Sequence, residues 1–139
     1  MWLVVFCSFN IAVYPATAAD LDLTLSNIKS IEGKLMLQMV SSEAAFKGEE
    51  NNTYMSLIIP LQSPETRVSV GSVQSGEYAI RVFHDTNSNQ KLDSNLLGIP
   101  NEPFGFSNDA TGNFGPAKWK DAKFTVPDSG VQLIINLSD

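Results

Sequence analysis

The densest run of oxygen-bearing side chains in the chain is Asp85-Thr86-Asn87-Ser88-Asn89-Gln90-Lys91-Leu92-Asp93. Asp85, Asn87, Asn89 and Asp93 stand at positions 1, 3, 5 and 9 of this run, with apolar Leu92 at position 8. That spacing follows the first three quarters of a calcium-binding loop, in which alternate side chains of a tightly curled segment converge on one hard cation and position 7, here Lys91, offers its backbone carbonyl. Two positions differ from the full pattern: Gln90 stands where the sharp turn takes glycine, and Leu96 where a bidentate glutamate would close the site. Of the side-chain ligands only Asp85 and Asp93 are charged, so the expected dissociation constant lies at about 10⁻⁴ to 10⁻³ M unless Glu102 or Asp109 adds a carboxylate. Ca²⁺ is the ion expected, although other hard cations take the same ligands. The alternative is that Asp85, Asn87 and Asn89 are turn residues that bond their own backbone.

Two further groups of residues could do chemistry. His84, the only histidine, precedes this run; with Asp85, Asp93, Glu102 or Asp109 as partners and Ser107 as nucleophile it would make a hydrolase. Nothing in the spacing enforces that arrangement, and a lone histidine at the end of a core strand equally serves as a hydrogen-bonded post at the mouth of a loop. There is no phosphate-cradling glycine motif and no H-E-x-x-H helix. The aromatics Phe104, Phe106, Phe114 and Trp119, spaced by glycines, form either an exposed platform for a carbohydrate or a peptide or the loop's own small core. The expectation is a non-catalytic binding or structural module with a Ca²⁺-ordered loop, with carbohydrate or peptide binding by the loop aromatics and hydrolysis through His84 as alternatives.

These residues need a scaffold, and the rest of the sequence reads as short alternating strands. Leu21, Leu23 and Leu25 alternate with polar residues, as do Leu35, Leu37 and Met39 with Met36, Gln38 and Val40, and the two runs look like an antiparallel pair. Further strands are expected at 54–61, 66–73, 77–84, 122–126 and 131–137. One short helix is expected at 41–47, capped by Ser41 or Ser42. Pro60 marks its strand as an edge or as ending there. In the fifth run Tyr78, Ile80, Val82 and His84 share the core face. Residues 85–121 hold no evident strand or helix, and a connection that long is functional or disordered. Its leucines and aromatics are too many for disorder, so an ordered loop is expected. The fold expected is therefore all-β: a single antiparallel β-sandwich of about seven strands with one short helix and one long ordered loop.

The chain has 139 residues and a net charge of −6, enough for one domain. Its nine basic residues are scattered, which leaves no electrostatic footprint for nucleic acid. Residues 1–19 are of another kind. They carry no charged side chain, an apolar run, Pro15, and then the small residues Ala16, Ala18 and Ala19. This is the grammar of a signal peptide cut after Ala18 or Ala19. It predicts export to the periplasm or beyond, a domain over 20–139 without cysteine (Cys7 lies in the leader), and no transmembrane span in the mature chain. No Lys or Arg precedes the apolar run, so either the amino terminus alone supplies the positive end or translation starts upstream.

The stretch from Gly76 to Phe124 contains FHDTNSNQKLD, LGIPNE, GFSNDA and FGP followed by an aromatic and DAKF. In these motifs the chain resembles a bacterial exported family catalogued as domain of unknown function 2141. The resemblance covers essentially the whole chain after the leader. Gln90 and the Asn101-Glu102-Pro103 run depart from the family's usual Gly and Lys-Glu-Gly. The resemblance implies a sandwich related to transthyretin-like (prealbumin-like) or carboxypeptidase-regulatory-like domains, and it carries no known activity.

Overall fold

The computed structural model describes residues 18–139. The expected leader falls mostly on residues 1–17, outside the described residues. Eight strands build two sheets: β1 (Ala18–Ser26), β2 (Lys34–Val40), β3 (Thr53–Pro60), β4 (Thr66–Gln74), β5 (Gly76–Asp85), β6 (Phe104–Phe106), β7 (Phe124–Val126) and β8 (Val131–Asn136). One sheet has the order β4-β1-β8, the other β3-β2-β5-β6, and β7 pairs with the first residues of β5. The all-β sandwich expected from the sequence is the fold.

The core lies between the sheets. Leu21, Leu23 and Leu25 of β1 meet Leu35, Leu37 and Met39 of β2 and Tyr78, Ile80 and Val82 of β5, closed by Ile135 and Leu137. Each such side chain contributes about 1.5–3 kcal/mol on burial. Burial also pushes the Tyr78 hydroxyl pKa up; that hydroxyl donates to the Gln74 carbonyl at 2.9 Å. Strand β3 ends on Pro60 at the sheet edge, where a missing N–H costs no ladder bond.

Several expectations are corrected. Strands β1 and β2 are not a pair: β1 lies between β4 and β8, while β2 lies between β3 and β5. Alternation fixes which face of a strand is buried but not which strand lies beside it, and both leucine rows point into the same core from opposite sheets. The sandwich is also not wholly antiparallel, because β8 runs parallel to β1. The turn closed by Gly130 N–H on Pro127 C=O carries the chain from β7 to the other sheet and sets β8 on that flank. Among the described residues there are eight strands, against the about seven expected, and two short α-helices rather than one, because the long loop is not structureless. It contains β6, a 3-10 turn (Ser107–Asp109) and α2 (Trp119–Ala122).

Helix α1 (Glu43–Lys47) is the expected one. Ser42 caps it, accepting from the Ala45 N–H at 3.1 Å. Together α1 and α2 pack on the outer face of the larger sheet, over Val40 of β2 and Ala79 of β5. Val40, Ala45, Phe46, Ala79 and Ala122 form a second small core there, with Phe106 and Trp119 packed against it. Arg81 ties the layers together: its Nε donates to Gln38 Oε1 at 2.6 Å and its Nη1 to the Phe46 carbonyl at 3.2 Å, and burial lowers its pKa.

Candidate functional site: the loop between β5 and β7

Strand β5 delivers His84 and Asp85 to the mouth of the loop, both buried. His84 Nε2 donates to the Glu32 carbonyl at 2.6 Å, and the His84 backbone N–H donates to Pro103 C=O at 2.8 Å. Ser107 is buried as well; its hydroxyl donates to Ala122 C=O at 2.5 Å and accepts from Ile80 N–H at 2.9 Å. Each of the two residues on which hydrolysis would depend is thus committed to main-chain partners. Across the mouth stands Gly33 at φ +73°, where a Cβ would collide with the backbone of Asp85 and Thr86. The β1–β2 connection therefore seals the base of the loop.

The calcium-like run curls as its spacing requires, and its oxygens meet the loop's own N–H groups. Asp85 Oδ1 accepts from Asn89 N–H at 3.0 Å and Asp85 Oδ2 from Gln90 N–H at 2.9 Å. Asn87 Oδ1 accepts from Asn89 N–H at 3.1 Å, and Asn89 Oδ1 from Lys91 N–H at 2.9 Å. The Asp93 carboxylate takes the side-chain amides of Asn87 at 2.5 Å and Asn89 at 2.9 Å. The structure thus brings Asn87, Asn89 and Asp93 together, with Asp85 joined to them through the backbone of the turn. Among the described residues no three His, Cys, Asp or Glu side chains cluster as a metal site. Gln90 takes the turn at φ +65°, doing with a side chain what glycine does freely.

Glu102 and Asp109 turn out to be clamps. Glu102 is buried, and its Oε1 accepts from both the N–H and the hydroxyl of Thr86 at 3.0 and 3.1 Å while Oε2 accepts from Asp93 N–H at 3.1 Å. One carboxylate therefore fastens both ends of the curled run. Asp109 holds the end of β8, accepting from the backbone and side-chain N–H groups of Asn136, each at 2.8 Å.

Beyond these clamps the loop raises two tips. The first is a tight turn held by Asn95, whose side-chain oxygen accepts from Leu97 N–H at 2.9 Å and Ile99 N–H at 3.1 Å. It lifts Leu96 and Leu97 into solvent, 106% and 83% exposed. At the second tip Gly112 lies so close to the carbonyls of Gly115 and Pro116 that no Cβ would fit, and Phe114 stands 111% exposed. Between the tips runs a cleft of about 470 Å³, with Phe104 and Phe106 on its floor, Leu97, Ile99 and Pro100 on one wall and Phe114 on the other. The floor continues along the sheet, where Phe104, Phe83, Met36 and Ile58 stand opposite one another on four successive strands.

The four aromatics singled out by sequence therefore divide. Phe104, Phe106 and Phe114 line the cleft, whereas Trp119 stacks edge-on against Phe46 at 5.9 Å in the second core, and Phe106 belongs to both. Leu97 and Ile99 carry a wall that reading the aromatics alone missed; the signal was an uncharged Leu-Leu-Gly-Ile-Pro run set between turn residues.

The molecule so defined is a β-sandwich whose one elaborated loop builds an apolar cleft at its end. Residues 23–134 match the model of the family described as an uncharacterized protein conserved in bacteria (DUF2141), and the chain belongs to that family. No curated protein and no solved structure matches it.

Proposed function

We propose that the protein is an exported, non-catalytic interaction module: the sandwich is the scaffold, and the two loop tips with the cleft between them are the surface that engages a partner. The observation that carries this reading is the exposure of Leu96, Leu97, Ile99 and Phe114 around a cleft floored by phenylalanines. Monomeric proteins seldom leave so much contiguous apolar surface in water without using it. The lining also favours an apolar partner surface or peptide over a sugar, because a carbohydrate needs hydrogen-bonding groups beside the rings and this cleft is aliphatic and phenyl. The commitment of His84 and Ser107 to main-chain partners supports a non-catalytic role. The leader-like composition of residues 1–19 supports export, and no helix among the described residues is long and apolar enough to cross a membrane.

Retention on a phenyl matrix tests the reading. At concentrations low enough for the monomer, the double variant Leu97→Ser, Phe114→Ser should elute markedly earlier than the wild type with an unchanged circular dichroism spectrum, since neither side chain is packed within its own chain. Equal retention would show that the tips are not the apolar interaction surface.

A second reading concerns the curled run beneath the tips. Ca²⁺ seated among Asp85, Asn87, Asn89, the Lys91 carbonyl and Asp93 would order the base of the loop. The curl of the run, which brings Asn87, Asn89 and Asp93 together with Asp85 joined through the backbone of the turn, supports it.

A further inference from the structure

We propose that the partner engaged by the loop tips is a second copy of this chain, joined about a two-fold axis so that Phe114 of each copy enters the cleft of the other. The proposal rests on the interaction-module reading and names its partner.

Size is the first argument. Leu92, Leu96, Leu97, Ile99 and Phe114 are all exposed, from 39% to 111%. Phe114 alone offers about 150–250 Å², and with the four aliphatic side chains beside it the tips present on the order of 600–700 Å². The largest apolar patch on an ordinary monomer is about 300–600 Å², whereas each partner in a stable complex gives up about 800 Å². The strip of Phe104, Phe83, Met36 and Ile58 that continues the cleft makes up the difference.

Shape points the same way. An isologous dimer needs one surface to carry both a projection and a recess that fits it. Here Phe114 is the projection, and the cleft it borders, roomier than a phenyl ring, is the recess on the same face. A bilayer would need the projections but would make no use of the recess. Phe114 also sits at φ +59°, a conformation costly for a bulky residue. Within one copy its ring gains no packing in return, whereas in the dimer it is the buried centre.

Charge supplies the third argument. Two copies of a chain of net charge −6 repel unless they meet through neutral surface. Residues 95–101 and 110–117, which build the two tips, contain no charged side chain. A basic or acidic partner would be met by complementary charges, and none is placed there. The carboxylate at the cleft mouth, Asp139, is already paired with Lys29 at the rim.

Sedimentation velocity on the purified protein over a wide concentration range tests the proposal, with circular dichroism confirming the fold of every variant. The wild type is expected to shift from monomer to dimer, with no higher species. Phe114→Ser should weaken dimerisation by about thirtyfold or more, the size of a hot-spot loss, and Ile99→Ser should weaken it less. Phe114→Leu, which keeps an apolar projection, should recover most of it. A wild type that is monomeric throughout, or a dimer indifferent to Phe114→Ser, overturns the proposal. A monomer whose retention on phenyl still depends on Phe114 would overturn self-association while leaving the module reading intact. A monomer that floats with phosphatidylcholine vesicles would assign the tips to a lipid surface instead.

Discussion

Gln90 shows how a single residue sets the quality of the turn on which the loop depends. At φ +65° a non-glycine residue incurs about 1–2 kcal/mol, and the turn holds because Gln90 N–H donates to the buried Asp85 carboxylate. Gln90→Gly keeps that bond and removes the clash. After allowing about 0.5–1 kcal/mol for glycine's greater freedom in the unfolded chain, the variant should be more stable by about 0.5–1 kcal/mol. The check is a chemical denaturation midpoint shifted upward with an unchanged slope; a lower midpoint would mean that the Gln90 side chain holds the turn by contacts of its own. At this scale much was legible. Asp85, Asn87 and Asn89 announce a curled run by type and spacing, His84 follows from strand alternation, and Ser42 from capping chemistry. What stayed hidden was the destination of Glu102 and Asp109. A carboxylate in a loop reads the same whether it will face a cation or the backbone N–H groups of Thr86 and Asp93.

Elements that depend on remote partners were the ones a linear reading lost. Strand β6 has three residues, Phe-Gly-Phe, too few for alternation to register. It exists because Phe83 and Arg81 of β5 offer it a ladder on one side and Ser138 bridges it on the other. Gly105 lets β8 approach, since a Cβ there would meet the Ile135 side chain at 3.0 Å. Helix α2 likewise forms where Trp119 finds Phe46. The same remoteness explains the mistaken pairing of β1 with β2, for sequence neighbours are spatial neighbours often but not always. The loop as an element hangs on Glu102, which fastens its curled segment at Thr86 and Asp93. Glu102→Ala strips three hydrogen bonds from partly buried groups, at about 0.5–1.5 kcal/mol net for each. Amide exchange over 86–101 should accelerate sharply in Glu102→Ala, with β1 and β2 still protected, and Glu102→Gln should fall between the two. Uniform acceleration across all strands would show the loop to be inseparable from the sandwich, and none at all would show the clamp to be redundant.

The whole molecule divides its labour between a core that stands without cross-links and a loop whose order is bought locally, and the calcium reading turns on that division. A cation bound only by the folded loop would stabilise the entire cooperative unit by mass action. At a dissociation constant of about 10⁻⁴ M and about 2 mM Ca²⁺ the gain is about 1.8 kcal/mol. For a domain of this size that is a rise of several degrees in melting temperature. The ion would compete with bonds the loop already makes. Each of Asp85, Asn87 and Asn89 accepts from backbone N–H but keeps a further lone pair, whereas the amides of Asn87 and Asn89 would have to turn their oxygens toward Asp93, away from the N–H groups of Asn89 and Lys91 respectively. Asp93→Asn is the informative variant, since it removes the charge on which the amides converge without orphaning the buried Asp85 acceptors. The wild type should melt higher with Ca²⁺ than with chelator, and Asp93→Asn should melt alike in both. Coincident wild-type curves would assign the run to turn-making alone, with the neutral amides of Asn87 and Asn89 doing for Asp93 what a cation would otherwise do.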